Sequence, residues 1–188
     1  MKNIIIFASG SGNNAENIAH YFNNSTTIKI KAVFTNNKDA GVIKRMEKFN
    51  IPCVVFNRDE YKNDTVFLNQ INEFAPDLIV LAGFLWLIPS YLVNAFPKQI
   101  INIHPALLPK FGGKGMYGMH VHEAVKKANE TETGITIHYV NQNFDEGEII
   151  FKANVMLTHT ETAEIIAHKI HNLEMANFPK IIEMLLLN

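Results

Sequence analysis

The chain is short of cysteine: one thiol, Cys53, in 188 residues. A single cysteine excludes an internal disulfide framework and suits a reducing compartment. Cys53 lies in an apolar run and reads as packing rather than as a nucleophile. Net charge is equally scarce, with 17 Lys and Arg against 18 Asp and Glu, or −1 at pH 7. No global field favours nucleic acid or an anionic membrane, although a local basic patch stays open. Long hydrophobic runs are missing too; no stretch approaches the roughly 20 apolar residues of a transmembrane helix. The apolar N-terminus, Met1 to Ser9, ends in a Gly/Ser/Asn loop and reads as a first strand rather than a signal peptide. The cytoplasm is therefore the expected compartment. Repeats, low-complexity tracts and linkers are also absent. One domain over residues 1–188 is expected, long enough to bury a substantial core.

What is present alternates between strand and helix signals. Ile4–Ala8 and Leu78–Ala82 are unbroken apolar runs of strand length, the mark of central parallel strands. Ile28–Phe34 and Cys53–Phe56 read as further strands. Helical spacing predicts helices over Ala15–Phe22, Lys38–Phe49, Tyr61–Phe74, Ser90–Ala95 and Met119–Ala128. In the third of these Val66, Phe67, Ile71 and Phe74 form a core stripe. Gly134–Val140 and Ile149–Val155 read as an antiparallel pair, followed by one long or broken helix, Thr162–Leu187, interrupted near Pro179. The expected class is α/β: a mostly parallel twisted sheet flanked by helices, with an antiparallel C-terminal extension.

Gly10-Ser11-Gly12-Asn13-Asn14 stands between the first strand and its helix, where free N–H groups and the helix dipole can cradle an anion. It fits a loose G-x-G-x-x-A pattern, but no acid closes the second strand and no Walker lysine follows. A phosphate-bearing ligand other than NAD and a plain tight turn are evenly matched on these residues alone. His120 and His122 are too close in helical register to share a face, and read as surface or loop histidines rather than metal ligands. The apolar loop Gly83–Pro89 is either a buried connection or a pocket wall for a flat aromatic ligand.

The most informative stretch is Asn102-Ile103-His104-Pro105-Ala106-Leu107-Leu108-Pro109. In a strand Asn102 and His104 project to one side. Prolines then stiffen the exit. An isolated Asn-x-His-Pro more often bonds nearby backbone; its surroundings reverse that here. The stretch resembles the formyltransferase family that uses 10-formyltetrahydrofolate. Further matches follow in order: Ser9–Asn14, Leu81–Phe84, Gly134–His138 and the acidic turn around Asp145-Glu146-Gly147. They extend over nearly the whole chain. Their order and the length resemble the branch of the family that formylates glycinamide ribonucleotide for purine synthesis.

The resemblance implies a Rossmann-like formyltransferase fold with Asn102, His104 and Asp145 as the catalytic trio. It implies that Gly12, Asn13 and Asn14 hold the substrate phosphate, with Glu174 near its ribose. Arg58, Leu85, Trp86, Leu87 and Ile88, Asn102, Asn141 and Asp145 would hold the folate, the 85–88 segment through its backbone. Trp86 stands where relatives commonly carry a basic residue. Small molecules are the implied partners, 10-formyltetrahydrofolate serving as co-substrate, with no metal, ATP, nucleic acid or membrane, in a monomer or homodimer. A tRNA-modifying relative is expected to carry a further C-terminal domain, and a folate hydrolase a preceding regulatory one. In chemical terms, Asn102 can donate to a tetrahedral oxyanion, a protonated His104 can add a charge-assisted bond, and Asp145 would favour that imidazolium.

Overall fold

The structure is a computed structural model that describes residues 1–187. Seven strands form one sheet in the order β3-β2-β1-β4-β5-β6-β7. They are β1 (Lys2–Phe7), β2 (Ile28–Thr35), β3 (Cys53–Val55), β4 (Leu78–Leu81), β5 (Ile100–His104), β6 (Glu132–Tyr139) and β7 (Ile149–Met156). The first five run parallel; β5–β6 and β6–β7 pair antiparallel. Helices α1 (Asn13–Phe22), α2 (Gly41–Glu47), α3 (Arg58–Lys62), α4 (Asp64–Asn72), α5 (Ser90–Ala95), α6 (Met119–Lys127) and α7 (Ala163–Leu187) complete the chain.

Strand β1 shows why an unbroken apolar run belongs at the centre. Alternate side chains face opposite layers. Ile4 and Ile6 enter a core shared with α1, α2 and α7, whereas Ile5 and Phe7 enter a second core on the other face. All four are fully buried. Burial of each contributes about 1.5–3 kcal/mol. The second core is aromatic: Phe7 stacks on Phe34 with centroids 5.2 Å apart, and Phe56 and Phe67 close around them. Cys53 is half-buried on β3, and burial raises its pKa, in line with a packing role.

Three helical expectations change. The segment expected as one helix, Tyr61–Phe74, is two helices that meet at Asn63. Its backbone N–H closes α3 on the Asp59 and Glu60 carbonyls, while its side chain accepts from Val66 N–H at 3.2 Å to start α4. A short polar side chain at such a junction competes with helix continuation. Val66 is exposed, so the stripe reduces to buried Phe67 and Ile71 with half-buried Phe74. Helix α2 starts only at Gly41, because Asn37 Oδ1 accepts the Asp39 N–H at 3.0 Å and holds a turn before it. Helix α7 runs unbroken through Pro179. A proline there strands the carbonyl four residues back, that of Met175. Asn17 Nδ2 of α1 donates to that carbonyl at 2.9 Å. The gap in one helix thus becomes its attachment to another.

Candidate functional site

The carboxyl ends of β1, β4 and β5 open onto one cavity of about 950 Å³. That is where ligands collect in open α/β sheets. At one end lies the glycine loop. Gly12 caps α1 with φ +78°, and a Cβ there would meet Val42 Cβ at 2.5 Å. No side chain caps the helix, so its first N–H groups are left for a ligand. The Gly10 carbonyl accepts from Val42 N–H at 3.2 Å, and Arg45 Nε donates to the Ser11 carbonyl at 2.7 Å. Arg45 also pairs with Glu16. These bonds make a fixed loop of Gly10–Asn14. Asn14, one turn before Asn17, donates through Nδ2 to Glu174 Oε2 at 2.9 Å. Glu174 thereby sits beside the loop although it lies 160 positions further along the chain.

At the other end Asn102 and His104 project from β5, as the alternation predicts. Antiparallel pairing sets His138 of β6 opposite Asn102. Asp145 arrives from the turn before β7 with φ +57°, a conformation that costs a non-glycine residue energy. Its Oδ2 lies 3.4 Å from His104 Nδ1 and accepts the Gly113 N–H at 2.9 Å. Its Oδ1 lies 3.4 Å from Asn102 Nδ2 and 3.6 Å from His138 Nε2. Asn102 Nδ2 also meets His138 Nε2 at 3.2 Å. His138 Nδ1 stands 2.9 Å from the Tyr139 carbonyl, and a carbonyl only accepts, so the proton is on Nδ1 and Nε2 receives the amide.

His104 Nε2 likewise donates to the Phe111 carbonyl at 2.8 Å. Burial pulls the pKa of His104 below its ordinary value; Asp145 and the Phe111 carbonyl pull upward without overcoming it. Burial therefore favours the neutral imidazole, against the pull of Asp145 toward the imidazolium. Burial pushes Asp145 upward, but His138, His104 and the Gly113 N–H outweigh it and hold the carboxyl below its usual range. The surroundings thus favour the ionised form of Asp145 and the neutral form of His104.

Of the residues singled out in the sequence, Gly12, Asn13, Asn14, Leu85–Ile88, Asn102, His104, Asp145 and Glu174 all line the cavity. Arg58 and Asn141 do not. Arg58 is the first residue of α3, its guanidinium 4.7 Å from the Trp86 ring centroid. Asn141 shapes the turn before Asp145, its Oδ1 accepting the Asn143 N–H at 2.9 Å. Three histidines were missed as site residues. His138 depended on strand register, which one sequence does not reveal. His122 is buried and lines the cavity, contrary to the surface or loop reading. Burial lowers its pKa, and its Nδ1 has no partner among the described residues. His120, the other histidine of that pair, is exposed. His171 lies one turn before Glu174, whose carboxylate 3.8 Å from its Nδ1 raises its pKa.

An anion nest joined by a cavity to an amide, an imidazole and a carboxylate suits a group-transfer enzyme acting on a phosphorylated substrate. The formyl transferase family profile matches residues 2–182. The chain belongs to that family, and within it to the phosphoribosylglycinamide formyltransferases. It is 37% identical to the Bacillus subtilis phosphoribosylglycinamide formyltransferase, covering 99% of this chain and 95% of that one. Identity to the chloroplastic phosphoribosylglycinamide formyltransferase of Arabidopsis thaliana is also 37%, over 90% of this chain. The chain spans about 60% of the length of that protein and of its Vigna unguiculata counterpart. The crystal structure of the Bacillus halodurans phosphoribosylglycinamide formyltransferase superposes with a TM-score of 0.88 at 33% identity, covering 100% of this chain and 96% of that one.

Proposed function

We propose that the protein transfers the formyl group of 10-formyltetrahydrofolate to the amine of glycinamide ribonucleotide, with Asn102, His104 and Asp145 carrying the chemistry. The observation behind this reading is the convergence of those three residues at one end of a cavity whose other end is an uncapped, glycine-shaped helix start. A volume near 950 Å³ lies toward the upper end for small-molecule sites and leaves room for two substrates together.

In this reading the nest at Gly12, Asn13 and Asn14 takes the ribonucleotide phosphate, and Glu174 takes a ribose hydroxyl. The folate lies along Leu85–Ile88, against Phe144 and the turn that Asn141 shapes. Ser9 Oγ accepts the Leu85 N–H at 3.0 Å and Tyr61 donates to the Leu87 carbonyl at 3.0 Å, which makes a rigid wall of that segment. Arg58, beyond the cavity, meets the anionic tail.

The amine attacks the formyl carbon and negative charge gathers on the formyl oxygen. Asn102 Nδ2 has two contacts, and the 3.4 Å one to Asp145 is the weaker and the one an oxyanion can replace. A proton leaving the amine goes to His104, whose new imidazolium lies between the Asp145 carboxylate and the Phe111 carbonyl. It then passes to the folate nitrogen as the carbon–nitrogen bond to the folate breaks. No nucleophile on the protein is needed, and Cys53 is a spectator.

The test is a two-substrate assay. Formylated ribonucleotide should accumulate in step with folate release and stop when the ribonucleotide is omitted. Rapid release of formate, indifferent to the ribonucleotide, would replace this reading with hydrolysis.

A further inference from the structure

Arg58 occupies a position that its surroundings do not explain. It is exposed, at the positive end of a short helix where a cation is disfavoured. Its neighbour Glu60 is committed elsewhere, accepting the Asn57 N–H at 2.7 Å in a capping box. None of the five guanidinium N–H donors has a hydrogen-bond or ion-pair partner among the described residues. What Arg58 does touch is the face of Trp86, 4.7 Å from the ring centroid. That indole is held from behind: Tyr61 lies 5.4 Å and Phe56 6.0 Å away, centroid to centroid. Phe84 adds a third contact at 6.4 Å. Trp86 lines the cavity and Arg58 does not. The indole is therefore the bridge between the binding space and the Arg58 guanidinium.

We infer that the Trp86 side chain is a positioning residue that fixes the Arg58 guanidinium at the cavity mouth, and thereby selects a folate whose tail carries carboxylates. The inference rests on the folate reading above and extends it, because that reading uses only the backbone of residue 86. Cation–π contact presents the guanidinium flat on the ring. Its N–H groups point outward along its edge, where a carboxylate can take two of them. Without the ring, a long exposed side chain would have to be ordered by the ligand itself, and the loss of rotamer freedom would weaken binding.

The experiment compares 10-formyltetrahydrofolate with an analogue truncated at the p-aminobenzoyl ring, which lacks the glutamate carboxylates. For the wild-type protein, KM should be about tenfold or more higher for the truncated form, as expected for a lost charge-assisted contact. Trp86→Leu should raise KM for the full folate about two- to fivefold, the range of an exposed cation–π contact, with the change falling on KM more than on kcat. Because Trp86 also lines the cavity, KM for the truncated form should rise by less, so that the ratio between the two folates falls. Trp86→Phe should restore part of the effect. Arg58→Ala should reproduce the truncation, and Trp86→Leu added to it should cost no more than it does with the truncated folate. A thermal melt of each variant checks the fold. Equal increases in KM for both folates in Trp86→Leu would overturn the inference by making the indole a mere wall. So would no change for either. Trp86 is the only tryptophan, so its fluorescence reports folate binding directly. A wild-type protein that neither turns over formyl folate nor shows quenching by it would overturn the folate reading itself. Turnover with a KM ratio between folates that Trp86→Leu does not alter would overturn this inference alone.

Discussion

Asp145→Asn is the most searching single change, because the structure sets both its size and its pH dependence. Asp145 Oδ2 lies 3.4 Å from His104 Nδ1, with side-chain exposures of 10% and 3%. A full charge pair at that distance is worth about 5 kcal/mol at an effective dielectric near 20. The imidazolium is only partly formed in the transition state, so about half is lost, or a rate reduction on the order of 10². The asparagine amide can still accept the Gly113 N–H, which keeps the destabilisation of the fold near 1 kcal/mol. The sign of the pH effect follows. Transfer needs neutral His104, whose pKa is already below the ordinary 6.5, so wild-type kcat/KM should fall only on the acid side of that value. Asp145 is the largest influence raising that pKa, so its removal moves the acid limb to still lower pH while the plateau drops. Steady-state rates from pH 5 to 9, with a melt at each end, are the assay. A variant within threefold of wild type, or an acid limb displaced upward, would refute the reasoning.

Asn102→Ala should lower kcat by about 10²–10³ through loss of an oxyanion donor, measured in the same assay at saturating substrates. Gly12→Ala should disturb the phosphate loop, since its Cβ would meet Val42 and its φ is +78°; the expected sign is a KM for the ribonucleotide raised more than that for the folate. Glu174→Ala should raise the ribonucleotide KM by about tenfold through loss of a hydrogen bond to a charged group, with the folate KM unchanged in a two-substrate matrix. Cys53→Ala should leave kcat within twofold of wild type, and thiol-directed reagents should leave the wild-type rate unchanged.

The fold was legible where one rule governs. Apolar runs of strand length announced β1 and β4, and helical spacing gave α5 over Ser90–Ala95. It failed where a side chain overrode the periodicity: Asn63 divided a helix, and Asn17 allowed another to pass through Pro179. Within the site, Asn102 and His104 were readable as a pair because two residues along a strand share a face. Asp145 came from family resemblance, since nothing local says that a turn 41 residues beyond His104 folds back on it. His138 needed the antiparallel register, and His122 needed the packing of α6 against α7. For His104 a sequence shows the nearby acid and hides the burial that acts against it.

The central claim is direct passage of the formyl group between two small molecules held in one cavity. Enzyme in excess over formyl-labelled folate, mixed with glycinamide ribonucleotide and quenched in denaturant on the millisecond scale, tests it. The account predicts label moving from folate to the amine in equal amounts, with none on the polypeptide at any time and none released as formate. Transient label on the protein, or formate formed ahead of the product, would contradict it.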